Sequence, residues 1–243
     1  ESGFERTLTT FTIGLCIYAA FVGIAVMPPP FNVWTVAAAM SLPVADAWSQ
    51  AGDAPEPVAA AEIVERFTAE VSDLTATFEQ NRYGQNGEPV EETHAGRFLL
   101  LRPNRFAWYY DSPYEMQIVA DGESLWMYDV DFEQITVDSL DNMAGSPAML
   151  LSGEGSVAEG FVISDAASDD GRRWIELTPR EESSDFVSAR IAFVDGLPQA
   201  LELIDGLSER TLIEFSGIEV NSGLRRRDFD FDPPRGVDVV GND

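Results

Sequence analysis

His94 is the only histidine in this 243-residue chain, so a Ser-His-Asp triad would have to be assembled on it. It lies in Glu91-Glu92-Thr93-His94-Ala95-Gly96, where a strand pattern begins, and reads there as a solvated side chain. Transition-metal chemistry needs several imidazole or thiolate ligands, and one cysteine, Cys16, is the whole thiol supply. Carboxylates are abundant, 42 against 15 arginines. A glycosidase needs two facing ones, but no pair stands out. The acidic runs at residues 129–133 and 168–171 lack the loop spacing of a calcium site and read as solvated turns. No glycine-rich phosphate loop is present. These residues point away from an enzyme, with no catalytic residue, cofactor or metal expected.

What stands out instead is aromatic. Leu101-Arg102-Pro103-Asn104-Arg105-Phe106-Ala107-Trp108-Tyr109-Tyr110 places an arginine and a proline at the corner of a strand-forming run. In the strand pattern Phe106, Trp108 and Tyr110 share one face, with Ala107 and Tyr109 on the other. Leu125 and Met127 likewise oppose Trp126 and Tyr128. A sheet in water usually needs one apolar face, so the surplus implies a covering helix or a hollow lined with apolar side chains.

The elements that would position these residues follow from period and punctuation. Ile63, Phe67, Val71 and Leu74 form the stripe of one amphipathic helix, with Asp53, Pro55 and Glu56 as its start signal. From residue 76 onward short strands alternate with turns such as Asp121-Gly122, Asp170-Gly171, Asp195-Gly196 and Asp205-Gly206. The run 228–232, Asp-Phe-Asp-Phe-Asp, is the last of them. This spacing means an antiparallel sandwich, barrel or strongly curved sheet. Residues 147–151 read as a short helix or apolar loop.

Residues 1–47 are different material, with two uncharged or nearly uncharged apolar runs at 11–27 and 31–47. Ala45-Asp46-Ala47 has small residues where an export peptidase reads, so 1–47 reads as a signal peptide or membrane-targeting region and 48–57 as a linker. Either reading exports the body. Leu15 before Cys16 argues against a lipid-modified cysteine. The net charge of −27 repels phosphate backbones and anionic bilayers, which excludes nucleic acid as a partner and favours a dissolved monomer.

In order along residues 58–240 the chain resembles the LolA family of periplasmic outer-membrane lipoprotein carriers. The resemblance rests on Phe78-Glu79-Gln80, on Gly96 leading to Arg102-Pro103-Asn104 with Phe106 and Trp108, and on Asp121-Gly122 with Leu125, Trp126 and Tyr128. Gln134, Pro147 to Leu150, Leu177-Thr178-Pro179 and the stretch from Asp228 to Val239 complete it. The resemblance implies a mainly β fold over 58–243, an incomplete antiparallel β-barrel under an α-helical lid, with an apolar cavity. It implies a chaperone for the acyl chains of lipoproteins, loaded by an inner-membrane lipoprotein-releasing ABC transporter and unloaded onto an outer-membrane lipoprotein acceptor. Arg102 would latch the lid. Phe67, Phe78, Phe106, Trp108, Leu125, Met149 and Leu150 would line the cavity. A carrier of another lipid or glycolipid, a membrane-tethered lipid-sensing protein and a secreted carbohydrate-active enzyme remain as alternatives at this point.

Overall fold

The computed structural model describes residues 58–140, 151–152, 157–168, 170–180 and 186–241. Residues 1–47, residues 48–57 with Asp53 and Glu56, and Pro147, Met149 and Leu150 therefore lie outside the described residues. Helix α1 spans Ala60–Glu70. It is followed by β1 (Asp73–Tyr83), β2 (His94–Leu101), β3 (Arg105–Ser112), β4 (Met116–Ala120), β5 (Ser124–Asp129) and β6 (Gln134–Ser139). After a one-turn helix α2 (Val157–Gly160) come β7 (Phe161–Asp165), β8 (Arg173–Pro179), β9 (Ser188–Val194), β10 (Leu197–Ile204), β11 (Arg210–Val220) and β12 (Asp238–Gly241).

All twelve strands join one sheet in the order β12-β6-β5-β4-β3-β2-β1-β11-β10-β9-β8-β7. Within β1–β6 and within β7–β11 consecutive strands are neighbours, and β1 with β11 joins the two halves. Among the described residues no ladder connects β12 to β7, so the barrel stays open. Every pairing is antiparallel except β12 with β6, which run parallel. The sheet curls until inward residues of both halves, among them Phe78, Phe98, Trp108, Ile175, Ile191 and Phe215, form one buried cluster with Val64 and Phe67 of α1.

Three features differ from the sequence reading. The helix stripe ends early: Val71 is the C-cap of α1, and Leu74 is buried from β1. A strand residue happens to continue the helical spacing because the chain turns between them. The run at 228–232 is not a strand. A 3-10 turn spans Arg226–Phe229, closed by Asp228 Oδ2 accepting from the Arg225 N–H at 2.7 Å, and Pro233 and Pro234 beyond it can donate nothing to a ladder. His94 is not solvated but buried, with Gln80 opposite it on β1 and its ring edge-on to Tyr110, 6.1 Å between centroids.

Two of the motif residues, Gly96 and Asp121, have visible structural reasons. Gly96 lies where an added Cβ would stand 1.9 Å from the Tyr109 carbonyl oxygen. Asp121 accepts from the N–H groups of Glu123 and Ser124 at 2.9 and 2.8 Å, and from Trp126 Nε1 at 2.8 Å. One carboxylate thus fixes both the β4–β5 turn and the orientation of an aromatic on the outer face. Burial pushes Asp121 up, but these hydrogen bonds outweigh it and hold the carboxyl below its ordinary value.

Candidate functional site

Alternation splits β2 to β5 into two apolar faces. Leu100, Phe106, Trp108, Ile118 and Leu125 point inward; Leu99, Leu101, Ala107, Tyr109, Val119 and Trp126 point outward. The outward set is covered by Leu224, Phe229 and Phe231 of the segment after β11. Phe229 is wholly buried, and Phe231 stacks on Trp126 with centroids 5.4 Å apart.

The inward face is roofed by α1. Its apolar stripe buries Ala60, Val64 and Phe67, with Ile63 half-buried. Phe67 meets Phe193 edge-on at 5.9 Å. Beneath it Phe67, Leu74, Phe98, Leu100, Leu151, Pro198 and Phe215 line a narrow hollow with no room for a water molecule. Ligand pockets usually measure about 300–1,000 Å3, so the hollow is shut.

Of the residues expected to line it, Phe67 does. Phe78, Phe106, Trp108 and Leu125 belong to the same buried cluster but do not border the hollow. Leu74, Phe98, Leu100, Pro198 and Phe215 were missed, because strand alternation identifies the inner face but not where a gap remains on it. Leu151 is the one described apolar residue of the segment that also carries Met149 and Leu150, and it does border the hollow.

Arg102 follows the last residue of β2 and is half-buried. Its Nε donates to the Val71 carbonyl at 3.0 Å and its backbone N–H to the Ser72 carbonyl at 2.9 Å, both at the exit of α1. The guanidinium carbon lies 5.2 Å from the centre of the Phe67 ring, within cation–π range. Burial pulls its pKa down to about 10, with no carboxylate opposing the shift. Nη2 is buried without a partner among the described residues. The next two residues complete the corner: the Arg102–Pro103 peptide is cis, and the Asn104 N–H donates to the Ser152 carbonyl at 2.8 Å. At the other end of α1, Arg173 Nη2 donates to the Val58 carbonyl.

Fold and site together define a half-open antiparallel β-barrel with an apolar interior under a helical lid. Residues 69–232 match the family model described as outer membrane lipoprotein carrier protein LolA. An outer-membrane lipoprotein carrier protein from Neisseria meningitidis serogroup C is 34% identical over 89% of this chain and all of its own length. Proteins of the same name from Ralstonia nicotianae and Methylococcus capsulatus are 38% and 40% identical, over 80% and 68% of this chain and 91% and 80% of theirs. The chain belongs to the LolA family.

Proposed function

We propose that this protein is a periplasmic carrier that holds the acyl chains of lipoproteins between the inner and outer membranes. The observation that carries the reading is the shut apolar hollow between α1 and the inner face of β1, β2 and β11. Each acyl chain hides about fifteen methylenes at about 0.8 kcal/mol each, so a lipidated protein does not cross water unaided. A dry hollow offsets that cost by burial alone, and the protein acts as a carrier and not an enzyme.

The hollow as it stands has no space for a chain, so loading requires α1 to lift. Arg102 is the latch: its planar fork of donors suits backbone carbonyls, and one hydrogen bond to Val71 is a restraint that cargo can displace. Leu74, Phe98, Leu100 and Phe215, with Phe67 from the lid, are the first residues an entering chain meets; Phe78, Phe106, Trp108 and Leu125 form the floor behind them, and Met149 and Leu150, which precede Leu151 in sequence, complete the set of acyl-chain contacts in this reading. Residues 58–243 are the carrier domain, residues 1–47 direct export and 48–57 link the two. Loading falls to an inner-membrane lipoprotein-releasing ABC transporter and unloading to an outer-membrane lipoprotein acceptor, with the carrier itself a monomer.

Titration with a fluorescent fatty-acyl probe tests this. Saturable binding that is competed by an unlabelled fatty acid is expected. Absence of saturable binding by both the protein and its Arg102→Leu variant would overturn the carrier reading.

A further inference from the structure

Arg102 is not the only side chain that reaches the exit of α1. Asn221, the residue after β11, places one amide across the same junction. Its Nδ2 donates to the Glu70 carbonyl at 3.0 Å. Its Oδ1 accepts from the Ser72 N–H at 2.8 Å and from Ser72 Oγ at 2.9 Å. Its backbone N–H donates to the Asp73 carbonyl at 2.8 Å. Bonding on both sides fixes the amide orientation, because a flipped amide would set donor against donor and acceptor against acceptor.

We propose that Asn221 is a second latch of the lid, a positioning residue that acts alongside Arg102. The two grips differ. Arg102 holds the carbonyls of Val71 and Ser72, beyond the helix. Asn221 reaches Glu70, the last helical residue, and satisfies one of the terminal carbonyls that a helix leaves unpaired. Any rotation of α1 about the Val71–Ser72 junction breaks the Glu70 bond.

The grip is built in. Asn221 has φ +54°, a left-handed conformation that asparagine adopts more readily than most residues. The next two residues are tied to the buried Asp73: its Oδ1 accepts from the Ser222 N–H at 2.7 Å and Ser222 Oγ at 2.8 Å, and its Oδ2 accepts from the Gly223 N–H at 3.2 Å. Burial pushes Asp73 up, but these bonds outweigh it and keep the carboxyl below its ordinary value. Asn221 is thereby held on the strand that α1 leads into, and the helix end is what remains free to move. The segment that Asp73 secures is the one that goes on to cover the outer face, so the inner and outer covers meet at this junction.

The proposal rests on the lid reading, and the test separates the two. Asn221→Gly keeps the left-handed backbone and removes only the amide. Amide hydrogen exchange within residues 61–70 should quicken about tenfold, the effect of losing the amide's three hydrogen bonds at the low end of their ordinary net strength, while exchange in β1, β2 and β11 stays at its original rate. Because opening is made easier, apparent affinity for the fluorescent fatty-acyl probe should tighten by up to the same factor. Asn221→Asp, which keeps the acceptor for Ser72 and loses the donor for Glu70, should fall between. Unchanged exchange in α1, or a rise shared equally by helix and strands, would make Asn221 an ordinary turn residue and sink the proposal. Exchange changes confined to α1 with no probe bound by any variant would keep the latch and reject the carrier.

Discussion

The two faces of the half-sheet β2 to β5 are both apolar and are covered by opposite means. On the outside, Phe229 is driven wholly into the sheet and Phe231 stacks on Trp126. On the inside, α1 leaves a hollow beneath it and is fastened at its exit by hydrogen bonds to backbone atoms. Burying an aromatic side chain is worth several kcal/mol, whereas a hydrogen bond contributes about 1 kcal/mol net. The inner cover is held by Phe67 and Val64 as well as by these hydrogen bonds, so it can be lifted only where another apolar group takes their place. On the proposed reading an acyl chain entering the hollow would replace the contacts that Phe67 and Val64 lose.

Substitutions that sharpen this contrast differ widely in size. The largest effect is expected from Phe229→Ala, which opens the outer cover. Stability should fall by about 3–5 kcal/mol in denaturant melts, with no gain in acyl-probe affinity. Next comes Arg102→Leu. It removes the bond to Val71 and a buried charge together, so the melting temperature should move little while the probe is held at least as tightly as by the unaltered protein. A loss of binding in step with a loss of stability would make Arg102 a fold residue and erase the contrast.

A pH effect should follow from His94, at the end of β2 away from the Arg102 corner. Burial holds its pKa below the ordinary 6.5, with Glu92 opposing the shift more weakly. The unfolded chain then takes up the proton more readily than the fold does. Stability is therefore full above pH 6.5 and declines as pH falls below it. Melting temperatures at pH 7.5 and pH 5 should differ more for the unaltered protein than for His94→Phe. The smallest effect is expected for Arg66→Ala, which breaks the exposed i,i+4 pair with Glu62 at 2.8 Å. Such pairs contribute about 0.2–0.5 kcal/mol, and lid-dependent binding should not register the change.

Strands β1 to β11 and their facing were legible because turn signals and alternation are local; β12 was not, and the run at 228–232 stood in its place. Asp121-Gly122 marks a turn, and the turn is there with its carboxylate bonded to the next strand. The end of α1 was not legible, because what stops the helix are Arg102 and Asn221, 31 and 149 or more residues away in sequence. The outer cover was misread for a different reason: Phe229 and Phe231 alternate with aspartates as strand residues do, but the bond from the Arg225 N–H to Asp228 closes a 3-10 turn that ends at Phe229. His94 looked solvated among the acidic residues before it, yet its register opposite Gln80 turns it inward. For the site, the Arg102 motif was visible and its partner carbonyl was not. Asn221 had only a generic turn signal, Asn-Ser-Gly.

The most direct test of the central claim is to photocross-link a diazirine-bearing fatty acid to the protein and map the modified residues by mass spectrometry. If the inner face is the removable side, labels should concentrate on Leu74, Phe98, Leu100 and Phe215 and on Phe67 of the lid. Labels on Trp126, Phe229 or Phe231, or spread evenly over both faces, would contradict it.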